Sequence, residues 1–110
     1  MSFLHQELAD GKWFLLSLEE QLGNIGSEVG RAISWDKRGD LVQRDRALER
    51  ALELIDLTAQ DKKWHGRLKE LFRAREVICD LFYGGNSFNT PSASLEKYFF
   101  EFALAARLKR

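Results

Sequence analysis

Cysteine and proline are nearly absent from this chain, and neither sign of charge prevails. Its 110 residues include one cysteine and one proline. The lone Cys79 excludes an internal disulfide framework and any zinc site built on several thiolates. The lone Pro91 leaves almost the whole chain free to be helical. Seventeen Lys and Arg balance seventeen Asp and Glu, so net charge is zero, and the basic excess typical of nucleic-acid binders is missing. Long apolar runs are missing as well. The longest near the start is Trp13-Phe-Leu-Leu16, far short of the ~20 residues of a membrane span. That start has no basic n-region and no apolar stretch of signal length, so a cytoplasmic location is the expectation.

What is present is ordinary globular material, 45% hydrophobic and 31% charged. At this length the chain makes one domain, and folding hides roughly 65% of the surface its unfolded form exposes. Helical periodicity runs through most of it. Ser17-Leu-Glu-Glu20 is a capping box, in which the Ser hydroxyl accepts from the Glu20 amide while the Glu20 carboxylate reaches back. After it Leu18, Leu22, Ile25, Val29 and Ile33 form one stripe on a helix ending near Trp35. Asp36-Lys-Arg-Gly39 reads as a turn, and Asp40 as the N-cap of a second helix with the stripe Leu41, Leu48, Ala51, Leu52, Ile55 and Ala59.

A third helix is expected to start near Asp61, with Gly66 weakening that start, and to carry Trp64, Leu68, Leu71, Phe72, Ile78, Cys79 and Phe82. The segment from Gly84 to Thr90 is the one long loop. Thr90-Pro91 then opens a fourth helix with Leu95, Phe99, Phe102 and Ala106, because proline suits the first helical position. The expected fold is an all-α, up-and-down four-helix bundle over residues 17–110. Residues 1–16 form an N-terminal segment draped across it through Phe3, Leu4, Leu8, Trp13 and Phe14. Gly23, Gly26 and Gly30 share one flank of the first helix. Glycine is unfavourable inside a helix, so that flank implies close approach of another backbone.

Four blocks of this pattern carry a resemblance: Ser17-Leu-Glu-Glu-Gln-Leu-Gly-Asn-Ile-Gly-Ser-Glu-Val29, Arg50-Ala-Leu-Glu-Leu-Ile-Asp-Leu-Thr58, Arg75-Glu-Val-Ile-Cys-Asp-Leu-Phe82 and Phe102-Ala-Leu-Ala-Ala-Arg107. They look like a family of small, uncharacterised, all-helical prokaryotic proteins, over most of the chain after Trp13. The resemblance implies a bacterial or archaeal cytoplasmic origin. It brings no activity, ligand or catalytic residue.

Sites that could carry chemistry are few. A di-iron bundle needs Glu three residues before each ligating His, but Lys62 precedes His65 and Ser2 precedes His5 at that spacing. The Arg-to-His spacing of small helical toxin ribonucleases is missing before His65 too. On the second helix Asp45, Glu49, Glu53 and Asp56 share a sector of about 80°. Glu53-Leu-Ile-Asp56 matches half of the magnesium site of all-helical nucleotide pyrophosphatases, which resemble this chain in size and helix content. The partner E-x-x-E is missing from the first helix, where Gly23 follows Glu20 and Arg31 follows Glu28. The plainer reading is a solvated face neutralised by Arg46 and Arg50.

Arg75 lies near the centre of the third apolar stripe and must pair or snorkel out. Glu28 is its expected partner, with Asn24 and Arg31 alongside. That group reads as a register-fixing ion pair or, functionally, an anion clamp. Lys62, Lys63, Arg67, Lys69 and Arg73 form a mild basic patch, better explained as a solvated face than as an RNA contact. Cys79 reads as core filling. No cofactor is expected.

The fourth helix has a second apolar stripe, Phe100, Leu104 and Leu108, nearly opposite its first. Val77 and Leu81 repeat this more weakly on the third. Two such faces point to an interface, so the expected function is non-enzymatic and works through self-association, with a homodimer as the first form. The alternatives are a Mg²⁺-dependent nucleotide pyrophosphatase using the acidic stripe, and an RNA-contacting bundle. Shielding of the second stripe by Trp13 and Phe14 would remove the interface.

Overall fold

The computed structural model describes residues 11–85 and 91–108, with backbone alone at 106 and 107. Four helices form an all-α bundle: α1 (Leu18–Lys37), α2 (Leu41–Thr58), α3 (Leu68–Tyr83) and α4 (Ser92–Leu108). Short 3-10 turns, Lys12–Leu15 and Lys62–Trp64, precede α1 and α3. Phe3, Leu4, Leu8 and His5 lie outside the described residues, as does Thr90.

The helix boundaries follow from local chemistry. Ser17 Oγ accepts from Glu20 N and Glu20 Oε1 accepts from Ser17 N, both at 3.1 Å, which satisfies two of the amides a helix start leaves orphaned. Asp40 caps α2 by accepting from Gln43 N. Gly39 takes a positive φ of 78° in the turn between them, a conformation with little cost only for glycine. Pro91 O receives the Ser94 and Leu95 amides at the start of α4. Asp61 caps only the 3-10 turn, by accepting from Lys63 N. The chain then passes Gly66 before α3 begins at Leu68, later than the periodicity suggests.

α1 is the central element and packs along both α2 and α4, while α3 leans on α2. Leu22, Ile25, Val29, Ala32 and Ile33 from α1 meet Leu48, Ala51 and Ile55 from α2, Leu71 and Ile78 from α3, and Leu95 and Phe99 from α4. α1 and α4 run antiparallel, since Gly23 lies beside Ala103 and Gly26 beside Phe99. A Cβ on Gly23 would sit 3.2 Å from Ala103 Cα, and one on Gly26 would overlap Phe99 Cβ. These two glycines therefore let the helices approach. Gly30 differs from them, because a Cβ there would meet nothing within 4 Å.

Two stripes are corrected. Leu41 and Phe72 are exposed, whereas Leu54, Leu57 and Thr58 of α2 are buried. α2 is covered on two sides, by α1 and by the N-terminal turn, where Trp13 meets Thr58 and lies beside Leu54, so a single 3.6-residue stripe understates its buried surface. Val77 and Leu81 of α3 are half-buried and pack against the core. Val77 lines the cleft toward Leu95 and Tyr98 of α4 rather than an outer face.

Candidate functional site

Where the N-terminal turn, α1, the end of α2 and the second 3-10 turn meet, a fully buried polar network replaces apolar packing. Gln21 and Thr58 are both 0% exposed. Gln21 Nε2 donates to Trp13 O at 3.1 Å and to Asp61 Oδ2 at 2.8 Å, and Gln21 Oε1 accepts from Trp64 Nε1 at 2.8 Å. Thr58 Oγ1 accepts from Trp13 Nε1 at 2.8 Å and donates to Leu54 O at 2.6 Å. Lys63 Nζ closes the group by donating to Asp61 Oδ2 and Phe14 O. Both side-chain donors of Gln21 and its acceptor are used, as burial requires. This arrangement is structural. It joins segments far apart in sequence and presents no free group to a substrate.

Burial pushes the Asp61 carboxyl upward, but hydrogen bonds from the Lys63 side chain and amide and from Gln21 outweigh it and hold the group below the ordinary carboxylate range. A carboxyl depressed in the folded state stabilises the fold above its unfolded pKa, about 3.9, and that stability is lost as pH falls through the folded value. Urea midpoints should therefore drop on acidification below about pH 4, and Asp61→Asn should flatten that part of the profile. An identical profile in the variant would show that Asp61 is not the group responsible.

The Arg75–Glu28 pairing is not formed. Arg75 Nε donates to Asp56 Oδ1 at 3.1 Å on the α2–α3 surface, with both side chains substantially exposed. α3 leans on α2, so the edge of its stripe meets the outer face of α2 and the guanidinium snorkels to the nearest acid there. Arg75→Ala should consequently cost less than about 1 kcal/mol, read as a nearly unchanged melting temperature. A loss of several degrees would restore Arg75 to the core. Glu28 itself is buried and accepts from Arg31 Nη1 at 2.7 Å and from Arg50 Nε at 2.9 Å. Asn24 donates to Glu20 O on its own helix.

The acidic stripe does not converge. Asp45 pairs with Arg44 at 3.0 Å and accepts from Tyr83 Oη at 3.4 Å, while Asp56 is held by Arg75. Glu49 is exposed and Glu53 half-buried. Among the described residues no three His, Cys, Asp or Glu side chains are grouped as a metal ion would require. Arg50, expected to neutralise this face, instead crosses to Glu28 because α1 and α2 pack side by side.

The basic patch is engaged within the chain at several points. Lys63 serves Asp61, and Arg67 pairs with Glu70 at 3.0 Å while its guanidinium lies over the Trp64 ring, 5.2 Å from the centroid. Lys62 and Lys69 are exposed. Cys79 is half-buried, and His65 is exposed.

The outer face of α4 is different. Phe100, Leu104 and Leu108, one helical turn apart, are 61%, 43% and 78% exposed. Trp13, expected as a possible cover, is buried with its indole on Thr58, and Phe14 packs against the core. Beside Phe100 runs a groove of about 470 Å³ whose floor is the glycine flank of α1. Sequence reasoning found this face by periodicity. It missed Gln21, whose only signal is a polar residue next to Leu22 on the inward side of α1. Among the described residues no helix is long and apolar enough to cross a membrane. No protein family, curated protein or solved structure matches this chain.

Proposed function

We propose that this is a non-enzymatic, cytoplasmic helical protein of prokaryotic origin that works through self-association, with a two-fold homodimer as its first assembly. The prokaryotic origin rests on the sequence resemblance. The cytoplasmic location rests on the lone cysteine, since chains of oxidising compartments commonly pair their cysteines. The observation that supports self-association is the outer face of α4, where Phe100, Leu104 and Leu108 stand exposed in a line. A helix at the edge of a monomeric bundle needs only one apolar face, and α4 already spends Leu95 and Phe99 on the core. A contiguous exposed apolar patch marks an interface, and two-fold closure is the commonest way to bury one.

Light scattering behind a sizing column tests the reading. The expected mass at micromolar concentration is twice the 12.7 kDa of the chain, and a monomer mass would end the proposal. Leu104→Asp places a charge in the middle of the face and should return the dimer to monomer with its helicity intact. An unchanged mass would place the interface elsewhere.

A further inference from the structure

The face proposed for self-association is narrow by itself. Phe100, Leu104 and Leu108 make a single row on α4. A stable pairing buries about 800 Å² on each partner, spread over roughly 20–30 residues, so a neighbouring surface has to take part. The surface that continues the row is the groove of about 470 Å³ between α4 and α1. Gly23, Gly26 and Gly30 form its floor, and Phe99, Phe100 and Ala103 line its α4 side.

Gly30 is the residue that points outward. Gly23 and Gly26 lack side chains where α4 lies on them, but a Cβ on Gly30 would meet nothing within 4 Å. Among the described residues, then, no contact inside one chain offsets the cost of placing glycine in the middle of α1. What its missing side chain does is keep the groove deep. The groove is also lined by Glu96 and Lys97, one charge of each sign. A two-fold pairing sets a patch against itself, so a rim of one sign would repel its own copy, whereas a mixed rim can meet itself.

A knob and a hollow side by side on one face are exchanged by a two-fold axis passing between them, and both hollows are filled at once. We infer that Phe100 of each copy seats its ring in the glycine groove of the other, so that α1 supplies the receiving half of the interface. The bare floor lets the ring approach the α1 backbone, and the two Phe100 rings become neighbours able to pack edge to face. This inference rests on the self-association reading and adds the receiving surface to it. A pairing through α4 alone would leave Gly30 in water.

Gly30→Leu fills the groove from its floor, and helicity by circular dichroism should be unchanged because a Cβ there meets no neighbour. Sedimentation velocity over a dilution series should show a dimer dissociation constant raised roughly thirty-fold, the scale of losing a buried aromatic anchor. Phe100→Ala should raise it comparably. Mixed in equal amounts, the two variants should pair with each other more tightly than either pairs with itself. The intact Phe100 of one then enters the open groove of the other, and native mass spectrometry resolves the hetero-pair by mass. A wild-type chain that stays monomeric at every concentration ends the self-association reading and this inference with it. A wild-type dimer whose affinity Gly30→Leu leaves unchanged overturns this inference alone, as does a mixture holding only the statistical share of hetero-pairs.

Discussion

Gln21→Leu is expected to lower the unfolding free energy by about 2–4 kcal/mol, because it removes three buried hydrogen bonds and leaves the Trp64 indole N–H without an acceptor. The indole N–H of Trp64 loses its acceptor, while Trp13 O and Asp61 lose one donor each and keep the Leu16 amide and Lys63 respectively. Each buried group left unsatisfied costs about 1–3 kcal/mol. Leucine is close to glutamine in size, so the effect isolates hydrogen bonding from cavity formation. The total is a large share of the roughly 5–15 kcal/mol that holds a domain together. Urea unfolding followed by circular dichroism measures it. A change under about 1 kcal/mol would mean that water replaces the lost partners and that the network does not hold the segments together. Thr58→Val removes only the acceptor of Trp13 and the bond to Leu54 O, and should cost less than Gln21→Leu.

The second large effect is expected at Gly26. A leucine there must displace Phe99, whose Cβ already occupies the space a side chain would enter. The contact is with the root of the Phe99 side chain rather than its flexible end, so α4 itself has to move. Overpacking of this kind costs about 1–3 kcal/mol, more than the ~1 kcal/mol that replacing a helical glycine returns. Gly30 supplies the internal control. A Cβ at that position meets nothing within 4 Å, so Gly30→Ala should raise stability by about 0.5–1 kcal/mol. Opposite signs at two glycines one turn apart would confirm that α4 sits on Gly26. A stabilised Gly26→Leu variant would refute the close contact, and matching signs at both positions would show that propensity alone governs the flank.

The difference between these glycines shows how far sequence reasoning reaches. Three glycines on one flank of a helix announce a close neighbour, because each is locally unfavourable and needs a compensating contact. Which of them touches that neighbour depends on the height at which α4 crosses α1, and this is set by core packing between Phe99, Ile25 and Val29. The charged residues follow the same division. Arg75 lies close to the apolar stripe, as the helical period places it, but its partner is whichever acid α2 presents nearby. That proves to be Asp56, and the expected partner Glu28 is taken by Arg50 and Arg31.

The sequence by itself determined the helical class, the caps at Ser17 and Asp40, the start of α4 after Pro91 and the doubly apolar character of α4. All of these depend on interactions within a few residues or on a repeating period, and such information is local. Only the tertiary structure decided the Gln21–Thr58–Asp61 network, the pairing of Glu28 with two arginines and the dispersal of the acidic stripe. Their long-range bonds join residues 19 to 45 positions apart. A polar side chain in a sequence carries no mark of which distant group will meet it. The choice is made when the apolar faces pack and bring certain donors and acceptors within reach, where burial then obliges them to bond.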